Sequence, residues 1–307
     1  MNSHIVDVAV NVLGKPIQTA LALFSLLAYS GRFIDRIYFI EEPEALNQLN
    51  SAQNLIRKAL GDRLVCYRPA VMNWCYAMDP SRLTDSGYRH ALRYQYAFEH
   101  TDKRYLLVMH NDCEFTADVV GYLLGELHDH AGVGEIGQCW ICPARYLGRC
   151  SPGGYRDYRP DFVELAALYA ALDPSIYRRK YLEEPTEELK RHPWPLPECR
   201  LNEFCCLLRM DIVRPVTCPQ GPARPFGAYV DVGNPQTGNG ILDIGVAWFG
   251  DLVRQGYMFG HVPLSRHVRH TGGHKALFDP DLYVREEAKA LDILSAKYGQ
   301  ALPDARG

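Results

Sequence analysis

Short apolar runs alternate with stretches of helical periodicity over the first part of this chain, and that alternation constrains its fold more than any other feature. Ile5 to Val12 reads as a strand holding Asp7 and Asn11 within it, and Gly14-Lys15-Pro16 reads as the turn that follows. Thr19 to Tyr29 carries Leu21, Leu23, Leu26 and Leu27 at helical spacing and is closed by Gly31. Ile34 to Ile40 is a second strand ending on Glu41-Glu42-Pro43. Ala45 to Leu60 is a second helix closed by Gly61, and Leu64 to Tyr67 a third strand. A β-α-β-α-β order implies a parallel sheet covered by helices. No GxGxxG follows the first strand, and Gly14-Lys15 lacks the spacing of a P-loop, so both common phosphate-binding readings are weak.

The stretch 104–116, RYLLVMHNDCEFT, sits at the centre of this plan. A loop over 69–83 and a helix over Tyr88 to His100 lead into it, and Tyr105 to Met109 reads as a buried strand. That strand stops at His110-Asn111-Asp112, and a helix with Val120, Leu123, Leu124 and Leu127 on one face starts near Asp118. Polar residues at the carboxyl end of a buried strand occupy the ligand position of an open α/β sheet. A carboxylate beside an imidazole and an amide offers ligands to a divalent cation, so Asp112 is read as holding a metal that in turn holds a diphosphate. The plain alternative is a turn or helix-start acid, a place Asp favours.

Beyond this point the rhythm changes. Ile136 to Cys142 reads as a strand, and the helix before it ends ahead of Gly132 and Gly134. Residues 143–200 contain SPGGYRDYRP, a helix around Asp161 to Leu172, and HPWPLPEC; they read as a lid or acceptor-binding insertion rather than a separate domain. Leu201 to Leu208 is a strand, and 215–240, rich in Pro and Gly, reads as a mobile loop. Asp243 to Gln255 is a helix closed by Gly256. Tyr257 to Val262 and Leu264 to Val268 are extended, His270-Thr271-Gly272-Gly273-His274 follows, and Asp279 to Tyr298 is the final helix.

The 307 residues are 47% hydrophobic and 22% charged, with formal net charge −3, which gives no bulk attraction to nucleic acid or an anionic membrane. Ile17 to Tyr29 is too short and too polar to span a bilayer. With no export signal evident, the expected location is cytoplasmic, peripheral contact with a membrane being left open. The ten cysteines then read as reduced thiols. Cys139 and Cys142 match CxxC, but within a strand they point to opposite faces, so they read as core thiols rather than zinc ligands.

Four places resemble the inverting family 2 glycosyltransferases of the GT-A fold. Val8 to Pro43 resembles the opening β-α-β of their nucleotide-binding half, with Glu41 closing the second strand. Arg93-Tyr94-Gln95 stands where the family shows an Arg-Asn pair, and LLVMHNDCEF is similar to LLxNxDxEx, an abbreviated DxD motif. EFCCLLRMDIV, LDIGVAWFGDLVRQGYMFGHVP and RHTGG follow in the family's order. Two departures are plain: His110 replaces the first acid of a full DxD, and Leu242 stands where many members have Glu.

The resemblance implies an α/β GT-A fold with a single Rossmann-like mixed sheet flanked by helices, forming one domain over 1–307. Residues 1–130 would be the nucleotide half, 131–275 the acceptor half with its insertion 143–200, and 276–307 a C-terminal helix. It implies transfer of a sugar from a nucleotide-diphospho-sugar to an acceptor hydroxyl, the acceptor being a saccharide, a lipid-linked saccharide or a small molecule. Asp112, His270 and His110 would hold Mn²⁺ or Mg²⁺. Asn11, Glu41, Arg93 and Asn111 would contact the donor, and Asp243 would be the general base. The plainer readings are an N-cap for Asp243, a loop histidine for His270, strand-end polarity for Asn11 and Glu41, and a solvated helix face for Arg89. Trp140 and Trp248 read as core, while Trp194, Tyr155 and Tyr158 are candidates to stack on sugar rings. Two further functions stay open: a sugar- or nucleotide-binding module without transfer, and a metallohydrolase built on His261, His267, His270 and His274.

Overall fold

A computed structural model describes residues 4–42, 51–71, 76–139, 141–173, 182–193, 196, 198–233, 240–271 and 279–299. The strands in chain order are β1 (Val6–Val12), β2 (Ile34–Glu41), β3 (Leu64–Tyr67), β4 (Tyr105–His110), β5 (Cys113–Phe115), β6 (Gly132–Ile136), β7 (Leu201–Arg209), β8 (Val230–Asp231), β9 (Ile241–Leu242), β10 (Phe259–His261) and β11 (Val268–His270). The helices are α1 (Pro16–Ser30), α2 (Ser51–Leu60), α3 (Ser86–His90), α4 (Gln95–His100), α5 (Val119–Glu126), α6 (Pro143–Tyr146), α7 (Phe162–Ala170), α8 (Glu187–Arg191), α9 (Met210–Val213), α10 (Val246–Arg254) and α11 (Pro280–Tyr298).

Seven strands form one sheet in the order β10-β6-β7-β4-β1-β2-β3. All run in a common direction except β7, which is antiparallel to both neighbours, β4 and β6. This is the mixed sheet flanked by helices that the resemblance implies. Both faces are buried, so the strands read as nearly continuous apolar runs. Val8, Val10, Leu107 and Met109 pack under α1, α5 and α11, while Ala9, Leu106 and Val108 face Phe98 of α4 and Trp248 and Phe249 of α10. From β1 the chain moves outward through β2 and β3, then returns to β4 on the other side of β1. The carboxyl ends of β1 and β4 therefore flank the point where strand order reverses, the place for a ligand crevice.

Several local expectations are corrected. The strand expected at Ile136–Cys142 lies earlier, at Gly132–Ile136. A Cβ on Gly134 would stand 2.9 Å from Cys206 Cβ and 3.1 Å from the Cys205 carbonyl oxygen, so glycine lets β6 close on β7. Gly137, at φ +79°, then turns the chain out of the sheet, and Cys139 and Cys142 lie beyond it in turn and helix-start positions. The helix expected over Tyr88–His100 is two short ones. Tyr94 takes φ +63° between them and donates its backbone N–H to Asn11 Oδ1 at 2.9 Å. The helix expected from Asp243 begins at Val246 behind Gly245, whose φ is +79°. Within the loop expected over 215–240, Phe226 is buried and β8 pairs with β9; residues 234–239 lie outside the described residues, as do 45–50 of the second expected helix. Leu264–His267 is a turn rather than extended chain, closed by the His267 N–H donating to the Leu264 carbonyl. Among the described residues no helix is long and apolar enough to cross a membrane.

The C-terminal helix α11 is tied to the start of α1 by polar bonds. The Glu287 carboxylate accepts the backbone N–H groups of Ile17 (2.9 Å) and Gln18 (3.0 Å), and the Tyr283 hydroxyl accepts that of Lys15 (2.9 Å). These are the amides that a helix start leaves unpaired, and a carboxylate there also complements the helix dipole. The chain thus supplies its own anion at α1, where other α/β folds place a phosphate. Glu287→Ala, which strands one buried and one half-buried amide, is expected to lower unfolding free energy by about 1–3 kcal/mol, and Glu287→Gln by less, as measured by urea denaturation.

Candidate active site

Site geometry is set by a two-stranded ladder outside the main sheet. β11 runs antiparallel to β5, with His270 opposite Cys113 and Val268 opposite Phe115. The Asp112 carbonyl accepts both the backbone N–H and the hydroxyl of Thr271, each at 3.0 Å. His270 is carried in this way to the end of β4, although far from it in sequence, and its ring stacks on Phe204 with centroids 5.3 Å apart.

His270 Nε2 lies 3.1 Å from Asp112 Oδ1 and 3.1 Å from His110 Nδ1, and His110 Nδ1 lies 4.0 Å from Asp112 Oδ1. Ligands about 2.1 Å from one ion and at right angles stand about 3 Å apart, so this triangle fits a divalent cation with open positions for further oxygen ligands. Among the described residues it is the group of three that converges for metal binding. The Asp112 side chain is 2% exposed and those of His110 and His270 are 25% and 34% exposed, so the buried carboxylate sits behind accessible imidazoles.

The second carboxylate oxygen of Asp112 is taken by Lys15, whose Nζ lies 2.7 Å away. Lys15 reaches it from the β1–α1 turn, where Gly14 (φ +60°) and Lys15 (φ +52°) are both left-handed. Asn111 holds that turn: its amide donates to the Gly14 carbonyl at 3.2 Å and to Thr19 Oγ1 at 3.0 Å. Burial alone would raise the Asp112 pKa; hydrogen bonding and charge from His270, with Lys15 and His110, outweigh it and hold the carboxyl well below the usual range.

A second set of charges extends from His110. Its Nε2 lies 3.5 Å from Glu203 Oε1, at ion-pair distance. A carboxylate on the outer nitrogen of an imidazole favours the tautomer whose inner nitrogen can bind a cation. Glu203 Oε2 lies 3.3 Å from Arg200 Nε, and Arg200 Nη1 lies 2.8 Å from Asp243 Oδ2 while donating to the Ile244 carbonyl at 2.8 Å. Glu203 and Arg200 are buried, and the Asp243 side chain is 43% exposed. Burial would raise the Glu203 pKa, but Arg200 and His110 keep it below the usual carboxylate range. Asp243 does not cap α10; its Oδ1 accepts the Ile244 N–H, and Gly245 takes the cap position.

The other predicted residues fall in two groups. Asn11 and Arg93 meet through Glu42, whose Oε1 is 3.4 Å from Asn11 Nδ2 and 3.0 Å from Arg93 Nε, while Glu41 faces Arg57 at 3.4 Å. Arg89 is not on a solvated face: it is buried and donates to both oxygens of Glu99, at 2.9 and 3.0 Å. The histidine-rich segment is not one cluster. His261 Nδ1 accepts the Ile136 N–H, His267 stacks on Tyr122 at 4.2 Å, and His274 lies outside the described residues. Trp248 is core, and its indole N–H donates to Thr217 Oγ1 at 2.9 Å; Trp140 and Trp194 lie outside the described residues. Tyr155 is buried, with its hydroxyl engaged by the Phe259 backbone, whereas Tyr158 donates to Glu164 at the surface.

Lys15, Glu203 and Arg200 are the charged groups that sequence reasoning did not assign. The signal for Lys15 is its position just after β1, beside the end of β4. For Arg200 and Glu203 it is the reversed direction of β7, whose start lies at the edge where the parallel strands end.

No family model and no curated protein matches the chain. Among solved structures it is similar to the mannosyltransferase PcManGT from Pyrobaculum calidifontis, solved with GDP-Man and Mn²⁺. The identity is 11%, over 97% of this chain and 76% of that one, with a TM-score of 0.48. It is also similar to glucosyl-3-phosphoglycerate synthase from Mycobacterium tuberculosis, solved with Mn²⁺, uridine diphosphate and phosphoglyceric acid. There the identity is 12%, over 98% of this chain and 80% of that one, with a TM-score of 0.42.

A carboxyl whose folded pKa is depressed contributes stability that is complete above its unfolded value and is lost as pH falls toward the folded one. Asp112→Asn is therefore expected to give a shallower fall of unfolding free energy with acidity below about pH 4. Urea titrations at a series of pH values measure that slope.

Proposed function

We propose that the chain is an inverting glycosyltransferase of the GT-A, family 2 type, moving a sugar from a nucleotide-diphospho-sugar to an acceptor hydroxyl. The observation that carries this reading is the convergence of Asp112, His110 and His270 at the strand-order reversal, with Lys15 on one side and Asp243 on the other. In this reading residues 1–130 bind the nucleotide and 131–275 with the insertion 143–200 bind the acceptor, while α11 braces the first half.

Asp112, His110 and His270 would hold the cation, and imidazole ligands favour Mn²⁺ over Mg²⁺. A bound cation supplies positive charge to the diphosphate as its bond to the sugar breaks. Lys15 Nζ adds a second positive charge at the same carboxylate and stands at the edge where the diphosphate would lie. Asn111 acts through the turn that presents Lys15, Asn11 and Glu41 stand at the ends of β1 and β2 on the nucleoside side, and Arg93, between α3 and α4, joins them through Glu42 and would contact the donor.

Asp243 receives the acceptor proton. The acceptor oxygen bonds to the anomeric carbon from the face opposite the diphosphate, the carbon–oxygen bond to the diphosphate breaks, and the electron pair leaves with the nucleoside diphosphate. An exposed carboxylate steered by Arg200 suits that role. Arg200 and Glu203 are positioning residues, since each acts through the group it holds. Two further observations weigh on the other readings: a binding module has no need of an oriented exposed carboxylate, and a metallohydrolase loses its ligand set when His261 and His267 lie apart from His270.

The test is nucleoside-diphosphate release from a panel of UDP- and GDP-sugars with and without Mn²⁺. Asp112→Ala is expected to lower turnover by about 10²-fold or more. Asp243→Asn should lower it by about 10²–10⁴-fold while Mn²⁺-dependent binding of the nucleoside diphosphate persists in calorimetry. Full turnover by Asp112→Ala after metal removal overturns the proposal, and so does unchanged turnover by Asp243→Asn.

A further inference from the structure

Tyr229 stands across a short ladder from Asp243. β8 and β9 pair antiparallel, with Val230 opposite Leu242 and Asp231 opposite Ile241. Backbone bonds carry the pairing on at both ends: the Val232 N–H donates to the Gly240 carbonyl at 2.8 Å and the Gly245 N–H to the Phe226 carbonyl at 3.1 Å. One step beyond Val230 and Leu242, the same register sets Tyr229 opposite Asp243. Side chains alternate between the two faces of such a ladder. Val230 and Leu242 are buried together in one apolar cluster, while Tyr229, Asp231, Ile241 and Asp243 take the other face, where Ile241 is 38% exposed and the Asp243 side chain 43%.

Tyr229 is also fixed from its other side. Its carbonyl accepts the Met78 N–H at 2.8 Å, and its backbone bridges to Ala77, next to Tyr76, which is 67% exposed. Two residues earlier Gly227 bridges to Arg93, and a Cβ there would overlap the Arg93 carbonyl oxygen, so only glycine lets the chain pass so close. The run 227–229 thus crosses from Arg93, on the donor side, to Asp243. The Tyr229 ring packs against the cluster that holds Phe226 and Ile244 yet stays half-buried. Its phenol is within electrostatic reach of Arg200, the residue that steers Asp243.

We propose that Tyr229 and Ile241 form the acceptor platform beside Asp243 and that the acceptor is a neutral saccharide, which rests on the transferase reading above. Residues directly opposite in an antiparallel pair have Cβ atoms about 5 Å apart. A sugar ring lying on the phenol therefore brings a hydroxyl within reach of the Asp243 carboxylate. The C–H groups of the sugar meet the electron-rich aromatic face, and its hydroxyls meet the carboxylate. Charge sets the class. The outward face carries two acids, Asp243 and Asp231, the latter also accepting the Gly233 N–H at 2.9 Å. The cation beneath, Arg200, is already shared among Glu203, Asp243 and the Ile244 carbonyl. A phosphorylated acceptor would meet like charge there, whereas a neutral sugar finds oxygen atoms to accept its hydroxyl protons. Tyr155 and Tyr158 do not serve, since one is core and the other is tied to Glu164.

The experiment gives the full chain Mn²⁺ and whichever UDP- or GDP-sugar it turns over, and reads nucleoside-diphosphate release above transfer to water. Methyl glycosides and disaccharides of glucose, mannose and galactose are compared with glycerol 3-phosphate and 3-phosphoglycerate. The expected result is that a neutral saccharide raises release and the phosphorylated compounds do not. Tyr229→Ala is expected to raise the KM for that saccharide about tenfold while Mn²⁺-dependent binding of the nucleoside diphosphate persists in calorimetry. Tyr229→Phe, which keeps the ring face, recovers most of the loss. The comparison of acceptors on the unmutated chain does not depend on how the variants fold. The proposal is overturned if no saccharide raises release, if a phosphorylated compound does so in preference, if Tyr229→Ala leaves the saccharide KM in place, or if Tyr229→Phe is as impaired as Tyr229→Ala. Absence of both Mn²⁺-dependent release and nucleotide binding in the unmutated chain overturns the transferase reading itself, and the platform with it.

Discussion

A buried carboxylate, Asp112, is the interaction on which the rest of the site depends. An ionised group of this size taken out of water without partners is costly enough to neutralise or to prevent folding. Here it is satisfied from two distant segments. Lys15 arrives on the β1–α1 turn, and His270 arrives on a strand that pairs with the residues just after Asp112. The turn in turn rests on Asn111 and, through its backbone, on Tyr283 of the C-terminal helix. The charge thus organises the start, the middle and the end of the chain around one edge of the sheet.

From that carboxylate a line of charged groups runs along the same edge. His110 and His270 follow Asp112, then Glu203, Arg200 and Asp243. Each buried member has a neighbour of complementary character, which is what makes their burial tolerable, and the line meets solvent at His110, His270 and Asp243. The carboxylate proposed as base and the one proposed as metal ligand are therefore linked through His110 at the end of β4, Glu203 on β7 and Arg200 just before β7, rather than by loop backbone alone. A reaction that needs a nucleophile activated on one face and a leaving group stabilised on the other depends on such spacing.

The insertion obeys a different logic. The central sheet is held by two continuous apolar layers, whereas the described residues of the insertion divide between a cluster of their own and two others, Tyr155 packing with the sheet and Leu189 with Val230 and Leu242. The glycines at 134 and 137 serve both regions: the first lets β6 lie close to β7, and the second turns the chain out toward Cys139 and Cys142.

Much of this was legible in the residues alone. The β-α-β order of the first seventy residues, the buried strand ending at His110-Asn111-Asp112 and the long final helix are local patterns, and periodicity reads local patterns. The place of Asp112 at the end of a buried strand was read in the same way. What periodicity could not see was close approach. Gly132 and Gly134 looked like stop signals because glycine terminates elements in isolation, yet they lie within a strand whose neighbour leaves no room for a side chain. The Tyr88–His100 pattern is helical, but the Tyr94 backbone is drawn out of register by Asn11. Partnerships across the chain were likewise decided only by tertiary structure: strand pairing brings His270 to Asp112, and the reversed direction of β7 brings Glu203 and Arg200 between the two carboxylates. A sequence specifies which groups can carry charge or bind a metal; which of them share a site depends on strand order and direction, and those are properties of the assembled sheet.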